Sequence, residues 1–285
     1  VRLNLAQAII NGNHYKISID DIDHWTQIIL NRILFIRVCE ARGLERDGLL
    51  KDFAATDFWT EFKRSSYIDF YEHYDGPMFA RIRHIQDLII DNAVFDDLLS
   101  YLYYPSPYCF DVIPLKSISD IYDLFLGYHL EYDDSGILEN VLKSEFRKSN
   151  GAVTTPEHIV HNTIDSTVPS EYLQSLTNQQ ILDLKFLDPA CGSGVFLVSI
   201  YDHLATQIES NIEERKDVLP HRYLYEKDGK KYLNLEGRKL IVNQCLHGVD
   251  INQECVEVAK LSLSLKIIDD LEPIDFNNAG LYGSQ

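Results

Sequence analysis

Basic residues are scarce in this sequence of 285 residues. Only 26 Lys and Arg stand against 44 Asp and Glu, which gives a formal net charge of −18. Basic side chains that neutralise phosphates supply most of the nonspecific affinity of proteins for nucleic acids. The composition therefore argues against a major nucleic-acid-binding surface on this segment. We interpret the local cluster of Arg81, Arg83 and His84 as a solvated helix face.

Long apolar runs and paired cysteines are lacking as well. No stretch approaches the roughly 18–20 apolar residues that span a bilayer, and the opening VRLNLAQAII lacks the pattern of a secretory signal. We therefore expect a cytoplasmic protein without membrane contact. The absence of a C-x-x-C pair favours reduced, mostly buried thiols over a disulfide framework or a zinc site. The five cysteines are Cys39, Cys109, Cys191, Cys245 and Cys255.

The first half of the sequence has the spacing of helices. A serine and two aspartates at 18–21 are typical of a helix start, and apolar residues then recur at steps of three and four. We predict one helix that begins after Ser18, buries this stripe and stops at Gly43. The stripe consists of Ile22, Trp25, Ile29, Ile33 and Ile36.

Shorter helices are predicted at 57–67, 80–91 and 115–126, and the proline-rich stretch 103–114 is predicted to be a packed loop. Glu61-Phe62-Lys63 has the Glu-x-Lys pattern of a nuclease core. Because it lies in a helical pattern and not in a strand, we interpret it as structural.

The second half alternates short apolar runs with helical patterns, as βαβ units on a parallel sheet do. Strands are predicted at 184–187 and 246–249, followed by helices at 195–210 and 253–268. Asp228-Gly229 between two Tyr/Leu-rich arms predicts a hairpin.

The fold class is therefore α/β. We predict a helical domain over 1–145 and an incomplete Rossmann-like domain over 146–285.

The segment DPACGSG (188–194) carries the strongest chemical signal. Gly192 and Gly194 allow a tight turn and close approach of the backbone to a ligand, and the helix that begins near Val195 points free N–H groups into that space. Asp188 at the strand end repels phosphate and attracts a cationic ligand. A P-loop needs Lys-Ser/Thr after the glycines, and a dinucleotide fingerprint needs a third small residue there. Val195-Phe196 stands in place of the Lys-Ser/Thr pair, and Phe196 and Leu197 fill the region of the third small residue.

DPACGSGVFL (188–197) resembles motif I of the gamma-class N6-adenine DNA methyltransferases, which bind S-adenosylmethionine on a Rossmann-like sheet. GAVTTPEHIV (151–160) resembles their motif X, with Thr154 where a tyrosine is usual. CLHGVDINQECVEVAKLSLSL (245–265) resembles motif II. The order X, I, II is that of the gamma class, and three motifs in order are far more specific than one.

The resemblance implies S-adenosylmethionine as the cofactor. Asp250 would accept hydrogen bonds from the ribose hydroxyls, Ile251 would lie against the adenine, and Asp188 would hold the ammonium region. Thr155 and Pro156 would hold the methionine end. The loop residues at the cofactor would be Ala190, Cys191, Gly192, Ser193, Gly194 and Phe196.

The first half is similar to the helical connector that precedes the methyltransferase in fused type IIG and IIS restriction-modification enzymes. The segments that carry this similarity are LNRILFIRVCEARGL, YDGPMFA and FDVIPLKSISDIYDLFLG. The catalytic tetrapeptide of the family, Asn/Asp-Pro-Pro-Tyr/Phe, occurs nowhere in the sequence. We therefore expect a fragment of a site-specific adenine-N6 methyltransferase that contains no catalytic residue and meets duplex DNA through parts outside this chain.

Two other functions stay open: a non-catalytic S-adenosylmethionine-binding scaffold, and a protein or small-molecule methyltransferase. A sheet cut after two or three strands leaves an open edge, through which the chain could self-associate.

Cys191 is interpreted as a small turn residue and not as a nucleophile. His158 and His161 are interpreted as surface or packing histidines, since no third metal ligand is evident.

Overall fold

The computed structural model describes residues 1–13, 17–74, 77–107, 110, 127–142, 155–215, 219–269 and 271. The chain divides into two compact units, Val1–Val153 and Thr154–Gln285. The predicted helix at 115–126, most of the predicted loop at 103–114, Cys109 and the 151–154 part of motif X lie outside the described residues. Within the described ranges, no helix combines the length and the apolar character needed to cross a bilayer.

The described residues of the first unit form helices and one hairpin. The helices are α1 (Arg2–Gly12), α2 (Ile19–Ala41), α3 (Leu49–Ala54), α4 (Phe58–Ser65), α5 (Tyr71–Tyr74), α6 (Arg83–Asp87) and α7 (Ala93–Leu102). A π-helical turn, Ser66–Phe70, joins α4 to α5, and a 3-10 turn spans Pro77–Phe79. Strands β1 (Tyr128–Tyr132) and β2 (Leu138–Leu142) form an antiparallel hairpin.

The long helix α2 confirms the prediction from the apolar stripe. The hydroxyl of Ser18 accepts a hydrogen bond from the backbone N–H of Asp21 at 3.1 Å, so the serine caps the helix. The helix ends before Arg42, and Gly43 follows with φ +70°. All five residues of the predicted stripe are buried.

The prediction of a helix over 80–91 is wrong in extent, because α6 covers only Arg83–Asp87. Side chains from elsewhere bind the backbone groups that a longer helix would use. The indole N–H of Trp59 donates to the carbonyl of Leu88 at 2.8 Å, and Lys63 Nζ donates to that of Gln86 at 3.1 Å. Leu88 is accordingly extended. The Glu61-Phe62-Lys63 tripeptide lies in helix α4, as the helical pattern indicated.

The second unit contains the predicted βα elements. Its helices are α8 (Glu157–Thr167), α9 (Ser170–Ser175), α10 (Asn178–Asp183), α11 (Val195–Arg215), α12 (Leu235–Cys245) and α13 (Gln253–Ile268). Its strands are β3 (Phe186–Asp188), β4 (Leu224–Lys227), β5 (Lys230–Leu233) and β6 (Leu246–Gly248), with a 3-10 turn at His221–Tyr223.

Strands β3 and β6 pair in parallel, with Asp188 opposite Gly248. The strand predicted at 246–249, the helix at 253–268 and the hairpin are confirmed. The strand predicted at 184–187 lies later, at Phe186–Asp188, because the preceding helix extends to Asp183 and Leu184 ends it. Strands β4 and β5 are joined by Asp228 and Gly229, both with positive φ. Helix α11 begins at the predicted residue and is longer than predicted. Among the described residues of this unit, α11 supplies the largest share of the buried core, through Leu197, Tyr201, Leu204, Ile208 and Ile212.

Candidate cofactor-binding site

The loops that follow β3 and β6 lie side by side. Because the two strands are parallel, their carboxyl ends meet at the same edge, where α/β proteins bind ligands. The N–H of Val249 donates to the carbonyl of Asp188, and the N–H of Cys191 donates to the carbonyl of Val249, both at 2.9 Å. These two bonds continue the pairing of the strands into the loops.

The glycine loop turns through two left-handed residues. Gly192 has φ +52° and Gly194 has φ +88°, a region that residues with a Cβ rarely adopt. A Cβ on Gly192 would meet nothing within 4 Å, so the loop opens into free space at that residue. The N–H of Gly194 donates to the carbonyl of Cys191 at 2.8 Å and closes the turn. The sequence predicted both glycines for this purpose.

The carboxylate of Asp250 joins the two loops. Its Oδ2 accepts a hydrogen bond from the N–H of Gly192 at 2.9 Å. Its Oδ1 accepts one from the N–H of Asn252 at 2.8 Å. Two of the predicted site residues, 58 positions apart, are thus in direct contact.

A second carboxylate, that of Asp188, lies at the end of β3. It is half-buried, and its Oδ1 accepts a hydrogen bond from the N–H of Ala190 at 3.1 Å. Asp188 therefore both shapes the start of the loop and places a negative charge at its base.

The side chain of Cys191, within this loop, is buried. Burial raises the pKa of its thiol, and the nearby charges of Asp250 and Asp188 raise it further. A Cβ on Gly248 would lie 3.1 Å from Cys191 Sγ, which shows how closely the sulfur packs against β6. A thiol held protonated in a packed turn is a poor nucleophile. This supports the structural interpretation of Cys191.

The rim of the site carries exposed apolar side chains. Ile251 is fully exposed and Val249 is 57% exposed. Ser193 and Phe196 are half-buried around the start of α11, and Ala190 is exposed. An exposed apolar side chain, that of Ile251, therefore follows directly after a hydrogen-bond acceptor, the carboxylate of Asp250.

Thr155 and Pro156 stand at the start of α8, which packs against α11. The structure joins Gly192 directly to Asp250 by a hydrogen bond, and Asp188 is bonded to both neighbouring loops, through the N–H groups of Ala190 and Val249. Thr155 and Pro156, the two residues of motif X, are placed at the start of α8 without a described contact to Asp188, Gly192 or Asp250.

His158 and His161 are exposed on α8, and His161 lies 3.6 Å from the carboxylate of Glu157. Across the described part of the chain, no group of three His, Cys, Asp or Glu side chains has the proximity needed to hold a metal ion.

Sequence reasoning missed Asn252. Its side-chain Oδ1 accepts hydrogen bonds from the N–H groups of Glu254 and Cys255, so it caps α13, while its own N–H reaches Asp250. The capping role could have been recognised from the sequence, since an asparagine directly before an apolar helix is a typical N-cap.

Comparison with known proteins finds similarity to methyltransferases of restriction-modification systems. The MmeI DNA-methyltransferase domain family matches residues 162–271, which include β3, the glycine loop, β6 and the whole of α13. RM.Eco57I of Escherichia coli, a type II restriction enzyme and methyltransferase, is 28% identical over 276 residues. The chain is thus related to the type II restriction-modification methyltransferases. This confirms the resemblance to restriction-modification methyltransferases found in the sequence.

The similarity to these methyltransferases extends through both units. The RM.Eco57I match covers 94% of this chain but 26% of that protein. RM.MjaORFECS2P of Methanocaldococcus jannaschii is 24% identical, over 86% of this chain and 25% of its own length. The chain therefore spans about a quarter of the length of these curated relatives.

A solved structure shares the fold. The restriction-modification enzyme MmeI, determined in complex with DNA, superimposes with a TM-score of 0.51 at 16% identity. The match covers 94% of this chain and 36% of that one.

Proposed function

We propose that this chain supplies the S-adenosylmethionine site of a restriction-modification enzyme that methylates the N6 atom of adenine in DNA. The observation that carries the proposal is the hydrogen bond from Gly192 to Asp250. It unites the glycine loop and the acidic strand end, the two parts of the predicted cofactor site, at the carboxyl edge of the parallel pair. We interpret this pair and its flanking helices as the beginning of a Rossmann-like sheet.

The acceptor capacity of Asp250 fits a ribose. An ionised carboxylate offers about four acceptor positions on its two oxygens. One position on each oxygen is taken by a backbone N–H, from Gly192 and from Asn252. Each oxygen therefore keeps a position for one hydroxyl, which suits the vicinal hydroxyls of a ribose.

The rest of the site fits the other parts of the cofactor. Exposed Ile251 would lie against the adenine ring. The carboxylate of Asp188 accepts a hydrogen bond from the N–H of Ala190 and has further acceptor positions, so it can also receive the ammonium of the methionine part. Gly192 leaves open space for close approach of the ligand to the backbone. Thr155 and Pro156 would hold the methionine end.

The residues of this chain bind and orient the methyl donor. S-adenosylmethionine, when bound, supplies an activated methyl group on a positively charged sulfur. The two carboxylates at the strand ends favour that positive charge. Because the catalytic tetrapeptide is absent from this sequence, we assign no residue here to the target adenine, and we expect the isolated chain to leave DNA unmethylated.

Duplex DNA would be held by parts of the parent enzyme outside this chain. The net charge of −18 favours that arrangement, and the related MmeI was solved with DNA. We propose that residues 1–145 act as a helical connector, in keeping with a similarity to RM.Eco57I that covers nearly the whole chain.

Exposed Leu187 and Val249 favour self-association of the isolated chain, which light scattering over a concentration series would detect.

Calorimetric titration of S-adenosylmethionine into the chain tests the cofactor site. We expect saturable binding that Asp250→Ala and Asp188→Ala weaken by about tenfold or more, because each loses charge-assisted hydrogen bonds. Asp165→Ala, which removes an exposed carboxylate from α8, is the matched control and should bind like the wild type. A folded wild-type chain that shows no binding would refute the proposal, as would unchanged affinity in the Asp250 variant.

A further inference from the structure

Asn252 connects the capping of a helix to the acidic residue of the cofactor site. Its side-chain Oδ1 accepts hydrogen bonds from the N–H groups of Glu254 at 2.9 Å and Cys255 at 3.4 Å. Its own backbone N–H donates to Asp250 Oδ1 at 2.8 Å. The cap therefore fixes the backbone of residue 252, and that backbone fixes one oxygen of the carboxylate.

The other oxygen of the same carboxylate holds the glycine loop. Asp250 Oδ2 accepts the N–H of Gly192, a residue in the left-handed region with open space beside it. A continuous series of hydrogen bonds thus runs from the first turn of α13, through Asn252 and Asp250, to Gly192. A carboxylate held by two backbone N–H groups cannot rotate without losing one of them.

We propose that Asn252 is a positioning residue for the cofactor: by capping α13 it orients Asp250, which in turn fixes the glycine loop before the cofactor binds. This inference rests on the proposed function. Asn252 itself touches no cofactor in this scheme. Its contribution is the preorganisation of Gly192 and of the two acceptor positions that Asp250 keeps for the ribose hydroxyls.

The chain contains a matched cap without this connection. Asn234 caps α12, and its Oδ1 accepts the N–H of Gly237 at 3.0 Å. Its side-chain amide also donates to the carbonyl of Arg222. Replacing Asn234 with alanine therefore removes a cap of the same kind in the same unit, and that cap has no bond to Asp250.

The amide signal of Gly192 reports the loop directly. Cys191-Gly192 is the sole Cys-Gly dipeptide in the sequence, so labelling cysteine carbonyls with 13C and glycine amides with 15N selects this one amide in an NMR spectrum. We expect Asn252→Ala to shift the Gly192 amide proton upfield and to speed its exchange with solvent. Asn252→Ser, which restores a neutral capping oxygen, should return the signal toward its wild-type position, and Asn234→Ala should leave it unchanged.

Binding of S-adenosylmethionine gives the second readout, with folding of each variant verified by circular dichroism. We expect the Kd to rise about fivefold in Asn252→Ala, in line with the loss of one helix cap. It should recover in Asn252→Ser and stay constant in Asn234→Ala. An unchanged Gly192 signal in Asn252→Ala, or an equal change in Asn234→Ala, would overturn the inference. Lack of binding by the wild type would refute the proposed function instead, and the Gly192 signal would still decide whether Asn252 fixes the loop.

Discussion

Gly194 lies directly against Ala259. A Cβ on Gly194 would be 3.0 Å from the Cβ of Ala259 and 3.2 Å from its Cα. This contact brings the start of α11, where the glycine loop ends, against the middle of α13. The loop that we assign to the cofactor is therefore held at one end by close packing of two helices, and at Gly192 by the carboxylate of Asp250.

Replacing Gly194 with alanine should destabilise the chain and weaken binding of S-adenosylmethionine. The added Cβ meets Ala259, and φ of +88° strains any residue other than glycine. Together we expect a loss of about 2 kcal/mol or more in the free energy of unfolding, measured with urea. Gly229→Ala is the control, because φ is +76° there and nothing lies within 4 Å; we expect a loss of about 1 kcal/mol. Equal losses in the two variants would show that the contact with Ala259 contributes nothing.

Removing the carboxylate of Asp23 should destabilise the first unit. Asp23 Oδ1 accepts hydrogen bonds from Arg2 at 2.5 Å and 3.1 Å, and its Oδ2 accepts the N–H of Leu130 in β1. Both charged side chains are buried, so Asp23→Ala removes these hydrogen bonds at a place where water does not readily replace them. We expect Asp23→Ala to lower the free energy of unfolding by about 3 kcal/mol.

The exposed pair formed by Glu61 and Arg64 provides the comparison. Because solvent screens this pair, Glu61→Ala should change the free energy of unfolding by less than about 1 kcal/mol. Similar urea midpoints for Asp23→Ala and the wild type would contradict the importance of the buried pair.

The elements that the sequence predicted well depend on local signals. Helix α2 has a capping serine, a continuous apolar stripe and Gly43 at its end, and all these features lie within one segment. The hairpin at Asp228-Gly229 needs only a turn that accepts two positive φ angles. The glycine loop and Asp250 were found because their motifs are short and specific.

The elements that the sequence did not predict depend on distant partners. Helix α6 is short because Trp59 and Lys63 bind carbonyls more than 20 residues away. The hairpin β1–β2 was missed, and it is attached to α1 and α2 through Arg2 and Asp23. Asn252 could be recognised as a cap from the sequence, but its connection to Gly192 requires the fold.

Stability should depend on pH through Glu45. Burial raises the pKa of Glu45 from 4.5 to about 7, opposed by a hydrogen bond from Tyr74 and assisted by the charges of Asp69 and Glu40. A carboxyl whose pKa is higher in the folded chain binds its proton more tightly there. Its contribution to stability is complete below pH 4.5 and is lost as the pH rises through about 7.

Glu45→Gln keeps an oxygen that can accept the hydroxyl of Tyr74 but cannot ionise. We therefore expect the variant to be more stable than the wild type at pH 8, and the difference in Tm between them to shrink at pH 5. Thermal unfolding at the two pH values measures this, with Glu61→Gln as a control at a partly exposed carboxyl. A difference in Tm that is constant with pH would exclude titration of Glu45.

Cys191 should resist alkylation in the native chain. Its side chain is buried, and both the burial and the charges of Asp250 and Asp188 raise the pKa of the thiol, so little thiolate exists near neutral pH. We expect iodoacetamide to label Cys191 at least about tenfold more slowly than half-buried Cys255, as measured by peptide mass spectrometry. Asp250→Asn removes one negative charge and should speed the labelling of Cys191. Rapid labelling in the wild type would instead identify a reactive thiol in the glycine loop, and the interpretation of Cys191 as a packing residue would be wrong.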